Sequence, residues 1–181
     1  MSQLTPRYNR LSIALHWLML LLIAAVYACI ELRVNYPKGS DLRELLKQWH
    51  FMLGLAVFAL VWLRLLARTL SPTPPITPAL PVWQAIPAKL MHLALYALMI
   101  GLPLVGWLTL SAAGKPIPFF GLQVPALIGE NAELAGTLKQ WHELAGVTGY
   151  WLIGLHAVAA VIHHHILRDD TLTRMLPGKS S

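Results

Sequence analysis

Charged side chains are scarce in this chain. They make up 12% of its 181 residues, where a soluble domain has about 25%, and 56% of the residues are apolar. Cys29 is the only cysteine, which excludes an internal disulfide and any CxxC redox or zinc motif. The net charge of +6 is not gathered in a solvated basic run interleaved with aromatic residues, which argues against a nucleic-acid partner. This composition indicates a membrane-integral protein whose basic loops face anionic lipid.

Four apolar segments are long enough to cross a hydrocarbon core of about 30 Å, which takes about 20 residues. We expect transmembrane helices at about residues 11–32, 45–66, 88–111 and 139–167. The first is too long for a signal-peptide core and has no clear small-x-small cleavage site, so we interpret it as retained. The expected fold is a single all-α domain over residues 1–181, an integral-membrane four-helix bundle.

Two long connections separate these segments. The first, Ser71 to Pro87, is rich in proline and is expected to be extended and to lie on the surface. The second, Gly114 to Leu138, contains PFFGL, whose aromatic rings are expected at the level of the lipid headgroups. Pro103, between two glycines of the third segment, predicts a kink there.

The distribution of basic residues predicts the orientation. Four crossings put both termini on one side, and with these boundaries that side holds eight basic residues: Arg7, Arg10, Arg64, Arg68, Lys89, Arg168, Arg174 and Lys179. The opposite side holds six: Arg33, Lys38, Arg43, Lys47, Lys115 and Lys139. The positive-inside rule then favours cytoplasmic termini.

Four histidines pair by depth. His142 and His156 are fourteen residues apart, which on a helix is about 21 Å of rise and a return to within about 40° of the same face. His50 lies near the outer end of the second segment and His16 near the inner end of the first. The expected pairs are His50 with His142 outside, and His16 with His156 inside.

Two imidazoles that face each other across a bundle suit the axial ligation of a haem iron. Such six-coordinate iron has no open position for oxygen chemistry, so electron transfer is the expected role. Zinc is the competing metal, but it requires four ligands in one place, and these pairs are too far apart for that.

Arg64 and three glycines support the expectation of haem sites. Arg64 lies fourteen residues after His50, so an anionic haem propionate would suit it, unless it snorkels to the inner interface. Gly54, Gly146 and Gly149 follow the outer histidines by one or two turns. They would let a macrocycle approach the backbone, or they are ordinary small-residue packing between helices.

The remaining histidines lie near the inner side. His92, in the third segment, has no partner left at its depth and is expected to be structural or proton-handling. His163 shares the face of His156 about 10 Å nearer the cytoplasm, where it could hydrogen-bond or protonate a substrate. The alternative is that His163, His164 and His165 form a polar cluster that anchors the helix end.

Several stretches resemble a known family: LSIALHW, ACIELR, YPKG, TPPI, KQWHELAGVTGYWLIGLHA and HHHILRDDTLTRMLP. Together they cover nearly the whole chain and are similar to the bacterial cytochrome b561 family of di-haem, four-helix inner-membrane proteins. The resemblance implies two haem b groups, one held by His16 with His156 and one by His50 with His142. His165 departs from it, because close relatives carry an aromatic residue there.

Within that family, the chain most resembles the members that oxidise superoxide and reduce ubiquinone. The resemblance implies that superoxide reacts at the periplasmic face and ubiquinone near the cytoplasmic face. The six basic residues of the outer side would then attract the superoxide anion, and nearby glutamates would weaken that field: Glu31, Glu44, Glu130, Glu133 and Glu143. Two alternatives stay open: a haem-bearing membrane anchor between a partner dehydrogenase and the quinone pool, and a cofactor-free carrier of protons or metals.

Overall fold

The computed structural model of the protein describes residues 7–71 and 73–177. Within these residues the chain forms four α-helices: α1 (Arg10–Leu32), α2 (Asp41–Thr69), α3 (Val82–Ala112) and α4 (Ala132–Ile162). Each is long and apolar enough to cross a membrane, with mean hydropathies of 2.4, 2.0, 2.0 and 1.6 over the most apolar stretch. The prediction of an all-α, four-helix membrane protein is therefore confirmed. Pro72 and Lys179, which entered the linker and charge arguments, lie outside the described residues.

Three helices begin earlier than the apolar runs predicted, by four, six and seven residues for α2, α3 and α4. In α2 and α4 the reason is that the first turn is polar or capped. Asp41 and Glu44 occupy the first turn of α2, where acidic groups favour the helix dipole. The Asn131 side chain caps α4 by accepting a hydrogen bond of 2.9 Å from the Leu134 N–H. The extra turns extend the helices beyond the apolar segments.

The expectation of an extended linker up to Pro87 is wrong. Helix α3 begins at Val82, with Pro81 as its N-cap, and Pro87 lies within the helix. One proline removes a single backbone hydrogen bond, and an apolar membrane helix tolerates that loss. Helix α3 also continues through Pro103, and the kink at that residue stays a prediction.

The bundle has its tightest packing midway along the helices. Helix α1 packs mainly on α2 and α3 on α4, while α2 also contacts α3. Met19, Val57 and Val61 form the buried cluster at the centre. Large apolar side chains such as Leu21 and Trp151 are 67% and 78% exposed on the outside of the bundle. An apolar exterior around a small core is what a lipid-facing bundle requires.

The second connection is not wholly irregular. Pro118–Phe119 (β1) and Leu122–Gln123 (β2) form a short antiparallel hairpin whose turn residues, Phe120 and Gly121, have positive φ of 47° and 87°. The Phe120 N–H lies 3.4 Å from the Met52 sulfur, and its ring lies 6.1 Å from that of Trp49. The hairpin therefore packs against the part of α2 around His50. The headgroup-level position of its aromatic rings stays a prediction.

The segment after α4 folds back over the inner end of the bundle. Helix α4 ends in a π-helical turn, His163–Leu167, and Arg168 then adopts the left-handed conformation with φ 56°. Residues 168–176, called here the C-terminal clamp, contact both the start of α1 and the proline-rich linker. The Trp17 indole N–H donates to the Met175 carbonyl at 2.7 Å, and the Asp170 N–H to the Thr77 carbonyl at 3.2 Å. The clamp thus ties the end of α4 to the start of α1 and to the linker between α2 and α3.

Candidate functional site

The outer histidine pair joins α2 to α4. The ring centroids of His50 and His142 are 6.1 Å apart, with an interplanar angle of 82°. His50 Nδ1 lies 3.0 Å from the Val26 carbonyl oxygen of α1. Because a carbonyl only accepts, Nδ1 must be the donor, which leaves the lone pair on Nε2. This is the arrangement of a metal-ligating histidine whose other nitrogen is fixed by the protein.

His142 is shaped by α3. A Cβ atom added at Gly106 would lie 3.2 Å from His142 Cε1, so only glycine lets α3 pass so close to the imidazole. His142 Nδ1 is buried and has no hydrogen-bond partner of normal geometry among the described residues, although the Leu102 carbonyl is near enough to interact with the ring. Sequence reasoning did not single out Gly106.

The inner cluster contains three histidines. The ring centroids of His16 (α1) and His156 (α4) are 6.4 Å apart, and His92 (α3) lies 5.5 Å from His156. His92 thus lies beside a histidine that is already assigned to His16. Its structural or proton-handling role stays a prediction. The sequence held a signal for this position: His92 and Gly106 are also fourteen residues apart, and Gly106 contacts the outer histidine His142.

Arg64 lies among the inner histidines. Its Nη2 is 2.9 Å from His16 Nδ1, and its Nε donates to the Tyr96 hydroxyl at 3.3 Å. These contacts hold the half-buried guanidinium beside His16. The role of Arg64 stays a prediction. Arginine can only donate, so His16 Nδ1 accepts, and a neutral His16 in this arrangement carries its hydrogen on Nε2.

The ring separations fit a haem iron between each expected pair. A metal–imidazole bond of about 2.0 Å and a distance of about 1.2 Å from the nitrogen to the ring centre place two coaxial rings about 6.4 Å apart. The observed separations are 6.1 Å outside and 6.4 Å inside, whereas His92 and His156, at 5.5 Å, are too close. In the described part of the chain, no group of three or more His, Cys, Asp or Glu side chains could hold a bare metal ion.

The three glycines differ in their surroundings. A Cβ atom at Gly54 or Gly146 would meet nothing within 4 Å in the described parts of the chain, which leaves open space beside the outer histidines. Gly149 is buried against the Tyr27 hydroxyl of α1, so helix packing explains this glycine. Tyr27 in turn donates to the Gly146 carbonyl at 2.8 Å.

His163 is paired with a carboxylate. Its Nδ1 lies 2.5 Å from Asp169 Oδ2, and the Thr171 N–H donates to Asp169 Oδ1 at 2.9 Å. Burial raises the pKa of Asp169, but the hydrogen bonds from His163 and Thr171 outweigh it and leave that pKa below its ordinary value. His164 and His165 pack on each other, with ring centroids 4.7 Å apart. Sequence reasoning gave Asp169 no role, although an acidic pair just after three histidines was a signal.

Several of the outer basic residues form ion pairs or hydrogen bonds. Lys47 pairs with Glu44 at 2.6 Å and Lys139 with Glu143 at 3.2 Å. Arg43 donates to the carbonyl oxygens of the turn before α2. All these groups lie on the side of the bundle that carries the outer histidine pair. Attraction of an anion to that side stays a prediction.

Comparison with known proteins gives one consistent match. The profile of the family described as prokaryotic cytochrome b561 matches residues 7–178. The chain is 39% identical to cytochrome b561 homolog 1 of Escherichia coli K12, over 96% of this chain and 98% of that protein. It is also 39% identical to a Yersinia pestis protein named probable superoxide oxidase CybB, over 96% and 97% of the two chains. Cytochrome b561 homolog 2 of E. coli K12 is 35% identical, over 98% and 95%.

Proposed function

Since the chain belongs to the prokaryotic cytochrome b561 family, we propose that it holds two haem b groups and passes electrons from superoxide to ubiquinone. Membership itself makes it a haem b-binding, multi-pass bacterial membrane protein that transfers electrons. The number of haems, the donor, the acceptor and the orientation are the proposed part.

One observation carries the two-haem proposal: two histidine pairs, at opposite ends of the bundle, with ring separations of 6.1 and 6.4 Å. A bound haem supplies reversible one-electron chemistry at iron, and two histidine ligands leave no position on it for oxygen. His50 and His142 would hold the outer haem, and His16 and His156 the inner one. The carbonyl at His50 Nδ1 keeps Nε2 available as a ligand.

Arg64 is proposed to serve the inner haem. For His16 to bind iron through Nε2, its Nδ1 must carry the hydrogen and donate it. The present contact with Arg64, in which Nδ1 accepts, must then be exchanged. A haem propionate is the anionic partner that would take the guanidinium, and a buried arginine without one is costly. Its positive charge would also favour the reduced state of the inner haem.

The outer end is proposed to receive superoxide. One relative carries the name probable superoxide oxidase, and six basic residues lie on the outer side by the sequence-based topology. Two superoxide anions would be oxidised to two molecules of O₂, and their two electrons, with two protons, would convert ubiquinone to ubiquinol. The bilayer separates the two half-reactions, with the termini and the clamp on the cytoplasmic side.

The inner end is proposed to reduce ubiquinone. His163 follows the inner ligand His156 by two helical turns and carries a hydrogen-bonded carboxylate. A quinone that gains electrons becomes basic at its oxygens, so a histidine at that position can supply a hydrogen bond or a proton.

Two measurements on the detergent-purified protein test the proposal. A reduced-minus-oxidised spectrum with haem quantification should show two haem b per chain; one haem per chain would overturn the two-haem architecture. A superoxide generator with a short-chain ubiquinone should then yield ubiquinol without any other protein. If ubiquinol forms only when a dehydrogenase is added, the chain is a haem-bearing anchor, and the superoxide reaction is refuted.

A further inference from the structure

The π-helical turn at the end of α4 brings an acidic residue back onto His163. The wider turn spans His163–Leu167, and Arg168 then reverses the chain with φ 56°. As a result the Asp169 N–H donates to the His163 carbonyl at 3.1 Å, and its carboxylate faces the imidazole of the same residue. Neither a regular α-helix nor an extended tail would produce this contact, and π-helical turns are frequent at functional sites.

The hydrogen bonds fix the tautomer of His163. Asp169 Oδ1 accepts from the Thr171 backbone N–H at 2.9 Å, and Oδ2 lies 2.5 Å from His163 Nδ1. The lowered pKa keeps Asp169 ionised at neutral pH, so both oxygens only accept. His163 therefore donates from Nδ1, and Nε2 is the nitrogen left for another partner.

The neighbouring acid, Asp170, has a different task. Its Oδ1 accepts from the Thr77 N–H at 2.9 Å and pairs with Arg174 at 3.3 Å. Arg174 also donates to the Pro74 carbonyl and lies 5.6 Å above the Tyr8 ring. Asp170 thus holds the clamp in place, whereas the Asp169 carboxylate contacts His163 and Thr171.

We propose that Asp169 is a positioning residue for proton delivery at the inner end, holding His163 so that Nε2 faces the reduced acceptor. This inference rests on the proposed reduction of a quinone there. In the step, the N–H bond at Nε2 of protonated His163 breaks and an O–H bond forms on the reduced quinone. His163 becomes neutral. Its Nδ1 keeps its hydrogen and still donates it to Asp169, and Nε2 later regains a proton from the cytoplasmic solvent. The carboxylate stabilises the charged imidazole before transfer and the correct tautomer after it.

Asp169→Asn is the most informative variant, because the Thr171 backbone N–H can only donate a hydrogen bond. The asparagine oxygen must turn to the Thr171 N–H, so the side-chain NH₂ faces His163 Nδ1 and forces that nitrogen to accept. Neutral His163 would then carry its hydrogen on Nε2. We expect ¹⁵N-histidine NMR of the reduced protein, in which six-coordinate haem iron is diamagnetic, to show this tautomer switch. Asp170→Asn is the matched control: it should lower thermal stability but leave the His163 tautomer unchanged.

The kinetic test uses reoxidation of the chemically reduced protein by short-chain ubiquinone, so it does not depend on superoxide. We expect Asp169→Asn to slow the maximal rate at least about tenfold, as general acid–base catalysis contributes about 10²–10⁴. The quinone KM should change less than about threefold. Asp169→Asn should add no further loss to His163→Ala.

The outcomes separate the two claims. An unchanged tautomer, or a rate equal to that of the wild type, would overturn the role of Asp169. A tautomer switch in a protein whose wild type does not react with quinone would refute the proposed quinone reduction, and with it proton delivery, while leaving the hydrogen-bonded pair intact.

Discussion

Gly106 offers the most direct test of how the outer site is built. In Gly106→Ala the new methyl group would lie 3.2 Å from His142 Cε1, whereas relaxed carbon–carbon contacts are about 3.5–4.0 Å. The imidazole, or α3, must therefore move by about 0.3–0.8 Å. A shift of that size would change how His142 is placed toward a haem held between it and His50, whose ring lies 6.1 Å away.

The expected cost can be isolated with Gly101→Ala in the same helix, where a Cβ atom meets nothing within 4 Å in the described structure. Both substitutions should gain about 0.5–1 kcal/mol from reduced backbone freedom in the unfolded chain. Only Gly106→Ala should also cost about 1–3 kcal/mol from overpacking. The difference between the two variants is therefore the overpacking cost itself.

The assay is haem retention on heating, followed together with the electron paramagnetic resonance signals of the two ferric haems. Gly106→Ala should lose the outer haem at lower temperature and shift its signal, with the inner signal unchanged. Gly101→Ala should match the wild type. Identical behaviour of the two variants would show that contact with α3 does not position His142, and the argument from the glycine would fail.

Three further predictions concern the ligands and the charge beside them. His50→Ala or His142→Ala should remove the outer haem and spare the inner one in haem quantification; equal loss of both from folded protein would contradict the pairing. His156→Ala should lose the inner haem, whereas His92→Ala should keep it, and loss in the latter would make His92 the ligand in place of His16. Arg64→Gln should lower the midpoint potential of the inner haem by about 30–60 mV in a redox titration, about 1 kcal/mol of lost charge stabilisation; an unchanged potential would place the guanidinium away from that haem.

The helices and the histidine pairs were accessible to sequence reasoning because both follow a fixed rise and rotation per residue. Apolar runs mark membrane spans strongly, and fourteen-residue spacings place side chains on one face. The helix ends were less accessible, because Asp41 and Asn131 lie in polar turns that an apolar run does not include. Pro87 was read as a helix breaker, although an apolar helix tolerates it.

The inner histidine cluster depends on contacts that helical periodicity does not predict. From its depth along the helix axis, no partner was left for His92. Its position against His156 depends on how α3 packs on α4, and residue spacing does not predict that packing. The contact of Asp169 with His163 depends on a π-helical turn and on the left-handed conformation of Arg168. Neither feature has a periodic pattern in the sequence. Contacts within a helix face were predictable, and contacts made by a change in chain direction were not.

The C-terminal clamp also sets an order of assembly. Residues 168–176 are synthesised after all four helices, yet they hold Trp17, whose ring lies 5.5 Å from that of His16. The surroundings of His16 in α1 are therefore completed by the part of the chain that leaves the ribosome after α4. A nascent chain could insert every helix and present every histidine of the two pairs while its C-terminal segment remained unfinished. The contact between the clamp and Trp17 can therefore form only after the rest of the bundle has been synthesised.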